Sequence, residues 1–487
     1  MAPELLKVKG NRIVDEADKE VRLRGCSIGG MLKYAPMCPS SRSIGWHADE
    51  NCSPENFMTG FAGTESQTRA AMIKAIGTEN YEYLFDRIIH HFFAEDDARF
   101  IKSVGLNSVR IPFSYLRFED DMNPRVAISK GFEQLDRVVD LCSVHGLYMI
   151  LDMHVTPGSH NPDWHSDNHT SYAAFWDYKD HQDRCVWLWE EIARRYKDNN
   201  WVIGINPLNE PCDPEQYRVA AFYKRLEQTI REICPRYIFF LDGNTFAMEW
   251  KGFDGIMPNS AYAVHDYSMM GFPVGERYTG MPAQKAKLRQ QYARKAEFHH
   301  RHGVPVWVGE FGPTYEQRNP PDADEINSAR SDLLDEQLKI FDEEEKASWC
   351  LWSYKDIGVM GMVYTSPDSA WMTLLKPFQE KKDRLEIDGA TTHPNDELDR
   401  LIGTFAAWID RVCPSAQKTY PPIWKTETHI RRNVIQCFLA GSLCDEFAQL
   451  FRGKNKEQLD ELARSFAFRN CVRRERAISS LSRYGKQ

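Results

Sequence analysis

Residues 205–211 read Ile-Asn-Pro-Leu-Asn-Glu-Pro, and this stretch decides how the chain is to be folded. An apolar run (Trp201, Val202, Ile203, Ile205) ends abruptly in an amide, a carboxylate and a proline. A carboxylate buried without partners is costly. A strand that finishes on Asn209-Glu210 therefore opens into a site. Residues 304–312, Val-Pro-Val-Trp-Val-Gly-Glu-Phe-Gly, repeat the pattern, with Glu310 at the end of another apolar strand. Two carboxylates on separate strand ends suit paired acid/base or nucleophile chemistry, provided a scaffold brings the ends together.

Working outward, the chain alternates. Strands are predicted at 21–27, 107–111, 147–153, 201–208, 237–241, 261–264, 304–309 and 348–351. Helical stretches at 95–104, 129–145, 183–196, 214–233, 284–302 and 324–346 separate most of them. Gly105, Gly146 and Gly303 stand between helix and strand, where a left-handed residue is wanted. His145 and His302 sit at helix ends, where the macrodipole favours a cation, and that is reason enough for them. About eight parallel strands joined by helical crossovers predict an α/β fold, a (β/α)8 TIM barrel. A doubly wound open sheet competes, but no Gly-rich phosphate turn follows the first strand.

Residues 5–24 read as a hairpin that could cap one end of the barrel. Residues 31–94 are a long insertion after the first strand, helical from about 67 to 93. It either walls the mouth of a cleft or packs peripherally. Residues 1–374 thus form the catalytic barrel with its insertion. Residues 375–487 form a helical C-terminal extension, amphipathic near 396–413, 428–451 and 455–469. It is expected to pack on the barrel or to make a homo-oligomer contact.

A chain of 487 residues can bury a large core. A net charge of −9 without a long basic tract argues against nucleic acid as the main partner. No uninterrupted apolar run approaches the ~20 residues of a membrane span. The first ten residues show no apolar signal-peptide core, so a cytoplasmic location is expected. The 12 cysteines form no CxxC pair and read as free thiols of a reducing compartment. The glycosylation triplets at Asn51 and Asn168 weigh little against that.

In a barrel of this kind the site lies at the C-terminal strand ends. The polar and aromatic residues there are Arg110, His154, Asn209, Glu210, His265, Tyr267, Glu310 and Trp352. Each alone has an ordinary structural reading; the joint pattern points to a site. Asp152 reads as a supporting hydrogen-bond partner. No ligand spacing such as HExxH occurs, so no metal and no cofactor is expected. His160, Asp163, His165 and Asp167 read as a polar substrate loop.

The Asn209-Glu210-Pro211 ending, with Glu310 on the seventh strand, resembles the glycoside hydrolases of clan A. With Arg110, His154, His265-x-Tyr267 and Trp352 the set is similar to family 5 over roughly residues 20–355. Residues 154–161, His-Val-Thr-Pro-Gly-Ser-His-Asn, resemble a loop of fungal exo-β-glucanase and β-glucosidase members, which commonly carry Gln where this chain has His160. The insertion and the tail fall outside a minimal member.

The resemblance implies a retaining hydrolase whose carboxyls stand about 5–5.5 Å apart. Glu310 would be the nucleophile, and Glu210 the general acid and then the base. Arg110 and Tyr267 would hold Glu310 ionised, and Asn209 would bond the sugar 2-hydroxyl. His154, His265 and His160 would line the subsite, with Trp352 as its floor. Long loops at 31–94, 155–182 and 355–375 favour a closed pocket, hence an exo-acting β-glucosidase or exo-β-glucanase on a β-linked glucoside or oligosaccharide. The apolar residues 269–273 leave open a glycolipid-cleaving enzyme. An endo-acting β-glucanase or mannanase and an inactive glycan-binding barrel are the remaining alternatives.

Overall fold

The computed structural model describes residues 4–29, 60, 63–317, 320–385 and 396–485. Eight short runs rich in apolar residues become eight parallel strands: β1 (Arg24–Ser27), β2 (Ser108–Ser114), β3 (Tyr148–Val155), β4 (Val202–Asn206), β5 (Ile238–Leu241), β6 (Ser260–His265), β7 (Val306–Glu310) and β8 (Ser348–Leu351). They pair in sequence order, and β8 closes on β1, with Trp349 opposite Arg24 and Cys350 opposite Gly25. The predicted (β/α)8 barrel is the observed fold. Gly204 in β4 permits a close approach to β5, since a Cβ there would lie 2.0 Å from the Ile238 carbonyl oxygen.

The helices between the strands follow the predicted punctuation. Glu95–Val104 ends at Gly105 (φ 98°) and Glu297–His302 at Gly303 (φ 61°), both left-handed, as only glycine adopts without strain. Two boundaries differ from expectation. The stretch 284–302 is two helices, Pro282–Lys295 and Glu297–His302, parted at Ala296. The stretch 324–346 is Ala323–Leu338 followed by a π-helical turn, Lys339–Glu344. On that turn the buried Asp342 carboxylate meets Arg24 Nε at 2.6 Å and Trp349 Nε1 at 3.0 Å.

The hairpin (Lys7–Lys9 with Arg12–Val14) plugs the N-terminal mouth of the barrel. Leu6 and Ile13 join Leu23, Ile150, Ile203, Ile238 and Trp307 in one apolar cluster, and Val8 N–H bonds Asn259 Oδ1 at 2.8 Å.

The insertion and the tail pack together. Helix Glu65–Ile76 lies on Leu439–Gln449, and Thr78–Phe92 lies on Lys456–Arg464. Buried Lys355 ties the pieces: its ammonium donates to Asp97 Oδ1 (2.5 Å), the Phe92 carbonyl (2.8 Å) and the Phe466 carbonyl (2.9 Å). Strand Cys471–Arg473 pairs with Val363–Thr365 beside β8. The division drawn at 374/375 falls inside helix Ala370–Arg384, and the core runs unbroken from barrel to tail. The part of the insertion at 31–59, including Asn51, lies outside the described residues. Asn168 is buried, its amide donating to the Asn161 carbonyl at 2.8 Å, so it is no glycosylation acceptor in the folded chain.

Candidate active site

Glu310 is the last residue of β7, and Glu210 lies four residues beyond β4. Glu210 has φ 50°, a left-handed conformation that costs a non-glycine residue about 1–3 kcal/mol. Its N–H donates to Asp242 Oδ2 at 2.8 Å, which holds the turn. One carboxylate oxygen of Glu210 and one of Glu310 lie within 4.8 Å of each other, with a His265 nitrogen equally near both.

Glu310 is fully buried yet charged. Arg110 Nη1 donates to its Oε1 at 2.5 Å, and Tyr267 Oη donates to its Oε2 at 2.9 Å. Burial pushes this carboxyl upward, but the His265 and Arg110 cations and these two hydrogen bonds outweigh it and hold it below the ordinary range. Arg110 is equally buried and stays protonated: burial opposes its charge, while Asp152, Glu310 and Asp242 secure it. Its second nitrogen donates to Asn209 Oδ1 at 2.6 Å and Asn206 Oδ1 at 2.7 Å.

His265 sits between the carboxylates. Its Nδ1 is 2.6 Å from Glu210 Oε1 and 3.7 Å from Glu310 Oε2, and its Nε2 is 3.6 Å from Asp242. Burial would strip its proton, but Glu310, Asp242 and Glu210 together push it up to about 9. A cationic imidazole cannot ligate a metal, which needs the neutral ring. The Glu210–His265–Glu310 group is thus an anion–cation–anion array.

The structure brings all nine sequence-predicted site residues to one end of the barrel, and it corrects two of the expected roles. His154 was expected to offer a donor to the sugar. Asn209 Oδ1 accepts from Arg110, so its Nδ2 must donate to His154 Nε2 (3.0 Å), and His154 Nδ1 then donates to Asp152 Oδ2 (2.6 Å). His154 is a brace that turns the Asn209 amide. His160 was expected to line the subsite. Its Nδ1 accepts from Thr156 Oγ1 (3.2 Å) and its Nε2 donates to the Asn209 carbonyl, so it pins the catalytic turn from behind. Trp352 follows β8 and stacks on His154, the ring centroids 5.3 Å apart and the planes 21° from parallel. Its Nε1 is buried and has no hydrogen-bond partner in the protein. Met270 and Phe272, offered as an aglycone surface, are packed into the core.

The loop 160–167 is a packed wedge rather than a solvated substrate loop, with His160, Asp163 and His165 all buried. Asp167 binds the start of the insertion helix through Ser66 N (2.9 Å), and burial with the neighbouring Glu65 pushes its carboxyl up to about 7. Three contributors escaped sequence reasoning. Asn206 and Asp242 bond each other (3.0 Å) beneath the site, and His165 Nε2 lies 3.3 Å from Glu210 Oε2. Asp242 ends its strand as the glutamates do, which is the signal that marks it.

A buried, ion-paired nucleophile beside a second carboxyl is glycosidase chemistry, and the comparisons agree. The family model "Cellulase (glycosyl hydrolase family 5)" matches residues 71–358. The chain belongs to glycosyl hydrolase family 5. This family 5 hydrolase is 44% identical over 483 residues to a protein named beta-xylosidase from Phanerodontia chrysosporium, covering 96% of each chain. It is 26% identical over 299 residues to a probable glucan 1,3-beta-glucosidase A from Emericella nidulans, covering 60% of this chain and 67% of that one. A solved endogalactoceramidase superposes with a TM-score of 0.50 at 14% identity over 73% of this chain and 75% of that one, which shows the shared fold.

Proposed function

We propose that this glycoside hydrolase is a retaining, exo-acting β-glycosidase of the β-glucosidase/β-xylosidase type. The observation that carries the retaining reading is the carboxylate separation, within 4.8 Å between the nearest oxygens. Retaining enzymes place these groups about 5–5.5 Å apart, whereas inverting enzymes need about 6.5–9.5 Å to admit a water between them.

Glu310, held ionised by Arg110 and Tyr267, attacks the anomeric carbon while Glu210 gives its proton to the leaving oxygen. Glu210 then takes a proton from water as the water displaces Glu310. The Asn209 amide has one N–H engaged by His154 and one left for the sugar 2-hydroxyl, a bond that strengthens in the oxocarbenium-like transition state. A sugar hydroxyl would also satisfy the buried Trp352 N–H, whose isolation otherwise costs about 1–3 kcal/mol. Glu210 and His265 are each only 4% exposed, which suits a pocket for one terminal sugar rather than an open cleft.

Xylose is the favoured glycone because the relative similar over nearly the whole chain is named a beta-xylosidase. Glucose is the second reading. The two sugars share their ring-hydroxyl configuration and differ by one CH2OH group, and the more distant relative is named for a β-glucosidase. The test is hydrolysis of p-nitrophenyl β-xyloside, β-glucoside, β-galactoside and β-mannoside, with the released anomer followed by NMR. First-formed β-sugar supports the reading, and first-formed α-sugar overturns it.

A further inference from the structure

The loop between β3 and helix Lys179–Tyr196 delivers a third histidine to Glu210. Asn161 fixes its chemistry. Asn161 Oδ1 accepts the Asp163 N–H (2.9 Å), and its Nδ2 donates to the Glu210 carbonyl (3.0 Å), so the amide has one possible orientation. The same Nδ2 lies 2.7 Å from His165 Nε2. An amide nitrogen only donates, so His165 Nε2 is an acceptor and its ring proton is on Nδ1. Nδ1 faces Asp163 Oδ2 at 3.5 Å. Asp163 Oδ1 is in turn paired at 2.5 Å with Arg432, a buried residue of the C-terminal tail whose guanidinium lies 3.8 Å over the Trp424 ring.

Glu210 therefore meets two unlike nitrogens. Its Oε1 faces the His265 cation at 2.6 Å, and its Oε2 faces the acceptor Nε2 of His165 at 3.3 Å. A lone pair facing a carboxyl oxygen repels the charged form and attracts a hydroxyl. We propose that His165 is a positioning residue that keeps the acid's proton on Glu210 Oε2, and that Asp163 together with Arg432 from the tail holds the imidazole in that tautomer. The inference rests on the reading of Glu210 as the acid. In the first step the Oε2–H turns from His165 to the leaving oxygen as the C1–O bond breaks and the C1–Glu310 bond forms. In the second, a proton of the attacking water returns to Oε2 as the C1–Glu310 bond breaks. The tail thereby becomes part of the proton-handling apparatus of the barrel.

The readout is leaving-group dependence. A 2,4-dinitrophenyl group departs without a proton, whereas an ethoxy group needs one. kcat/KM is measured on 2,4-dinitrophenyl and ethyl β-xylosides, and on the matching β-glucosides, for the wild type, Glu210→Ala, His165→Ala and His165→Gln. Glu210→Ala should lose ~10²–10⁴-fold more on the ethyl than on the dinitrophenyl glycoside, the usual worth of a general acid. His165→Ala should show the same bias at about tenfold or more. His165→Gln, whose amide oxygen can still accept, should recover most of it. Equal losses on both leaving groups in His165→Ala, beside a biased Glu210→Ala, overturn the proposal and leave His165 a packing residue. Equal losses in Glu210→Ala overturn the reading of Glu210 itself, and the proposal with it. Should His165→Ala not fold, Arg432→Met is measured instead: the same bias at smaller amplitude supports the proposal, and its absence overturns it.

Discussion

At the N-terminal mouth of the barrel, Leu6 and Ile13 of the hairpin pack on Ile150, Ile203, Ile238 and Trp307, and no carboxylate enters. At the C-terminal mouth the same strands carry Arg110, Asp152, Glu210, Asp242, His265 and Glu310, all buried. Hydrocarbon needs only volume and exclusion of water, so the first mouth is specified by apolar packing. Buried charge needs a partner for every group, so the second is specified by hydrogen-bond geometry. Stability is concentrated at one end and chemistry at the other, and variants should separate the two.

The largest effect on turnover is expected from Glu310→Ala, a fall on the order of 10⁴–10⁶ in kcat with the fold retained, read by steady-state kinetics beside circular dichroism. Activity above a hundredth of wild type would remove Glu310 from the role of nucleophile. Arg110→Met should damage both ends of the comparison. It strands Glu310 and Asp152 without their cation, and the midpoint of denaturant unfolding should drop by an amount equal to about 3–5 kcal/mol, along with activity. Tyr267→Phe deletes one hydrogen bond to the nucleophile, which is worth about 1.5–3 kcal/mol when the acceptor is charged. It should lower kcat by roughly 10- to 150-fold, with little change in melting temperature.

His265 makes the polar mouth sensitive to pH. Its folded proton is held up to about 9 against 6.5 for the free ring, so the stability it contributes is complete below pH 6.5 and is lost as pH rises through about 9. Glu310 is displaced in the opposite sense, so its contribution is present above the ordinary carboxylate range and is lost as pH falls through its depressed value. Melting temperature should therefore decline from pH 6.5 to 9.5, and His265→Gln should flatten that limb. A slope unchanged in the variant would place the titration elsewhere. The smallest effect on turnover is expected from Ile13→Ala in the hairpin. It should cost about 2–5 kcal/mol of stability and leave kcat/KM within twofold of wild type. A clear loss of kcat in this variant would show that the two mouths are mechanically linked.

Much of this was legible in the linear order of residues. The eight strands, the glycines that end the helices and the two strand-end glutamates follow from local rules, because side-chain periodicity and left-handed turns are properties of neighbouring residues. The barrel follows from parallel strands with crossovers, and the hairpin's place as a plug follows from its apolar residues. The tertiary structure alone decided which polar atoms meet. That Asn209 Oδ1 belongs to Arg110, and hence that His154 is a brace and not a sugar donor, depends on contacts between β2, β3 and the turn after β4. That His165 reaches Glu210, and that Arg432 of the tail reaches Asp163, depends on folding a loop and an extension onto the same mouth. Hydrogen bonds discriminate over tenths of an ångström and across hundreds of residues, and no periodicity along the chain encodes a distance of that kind.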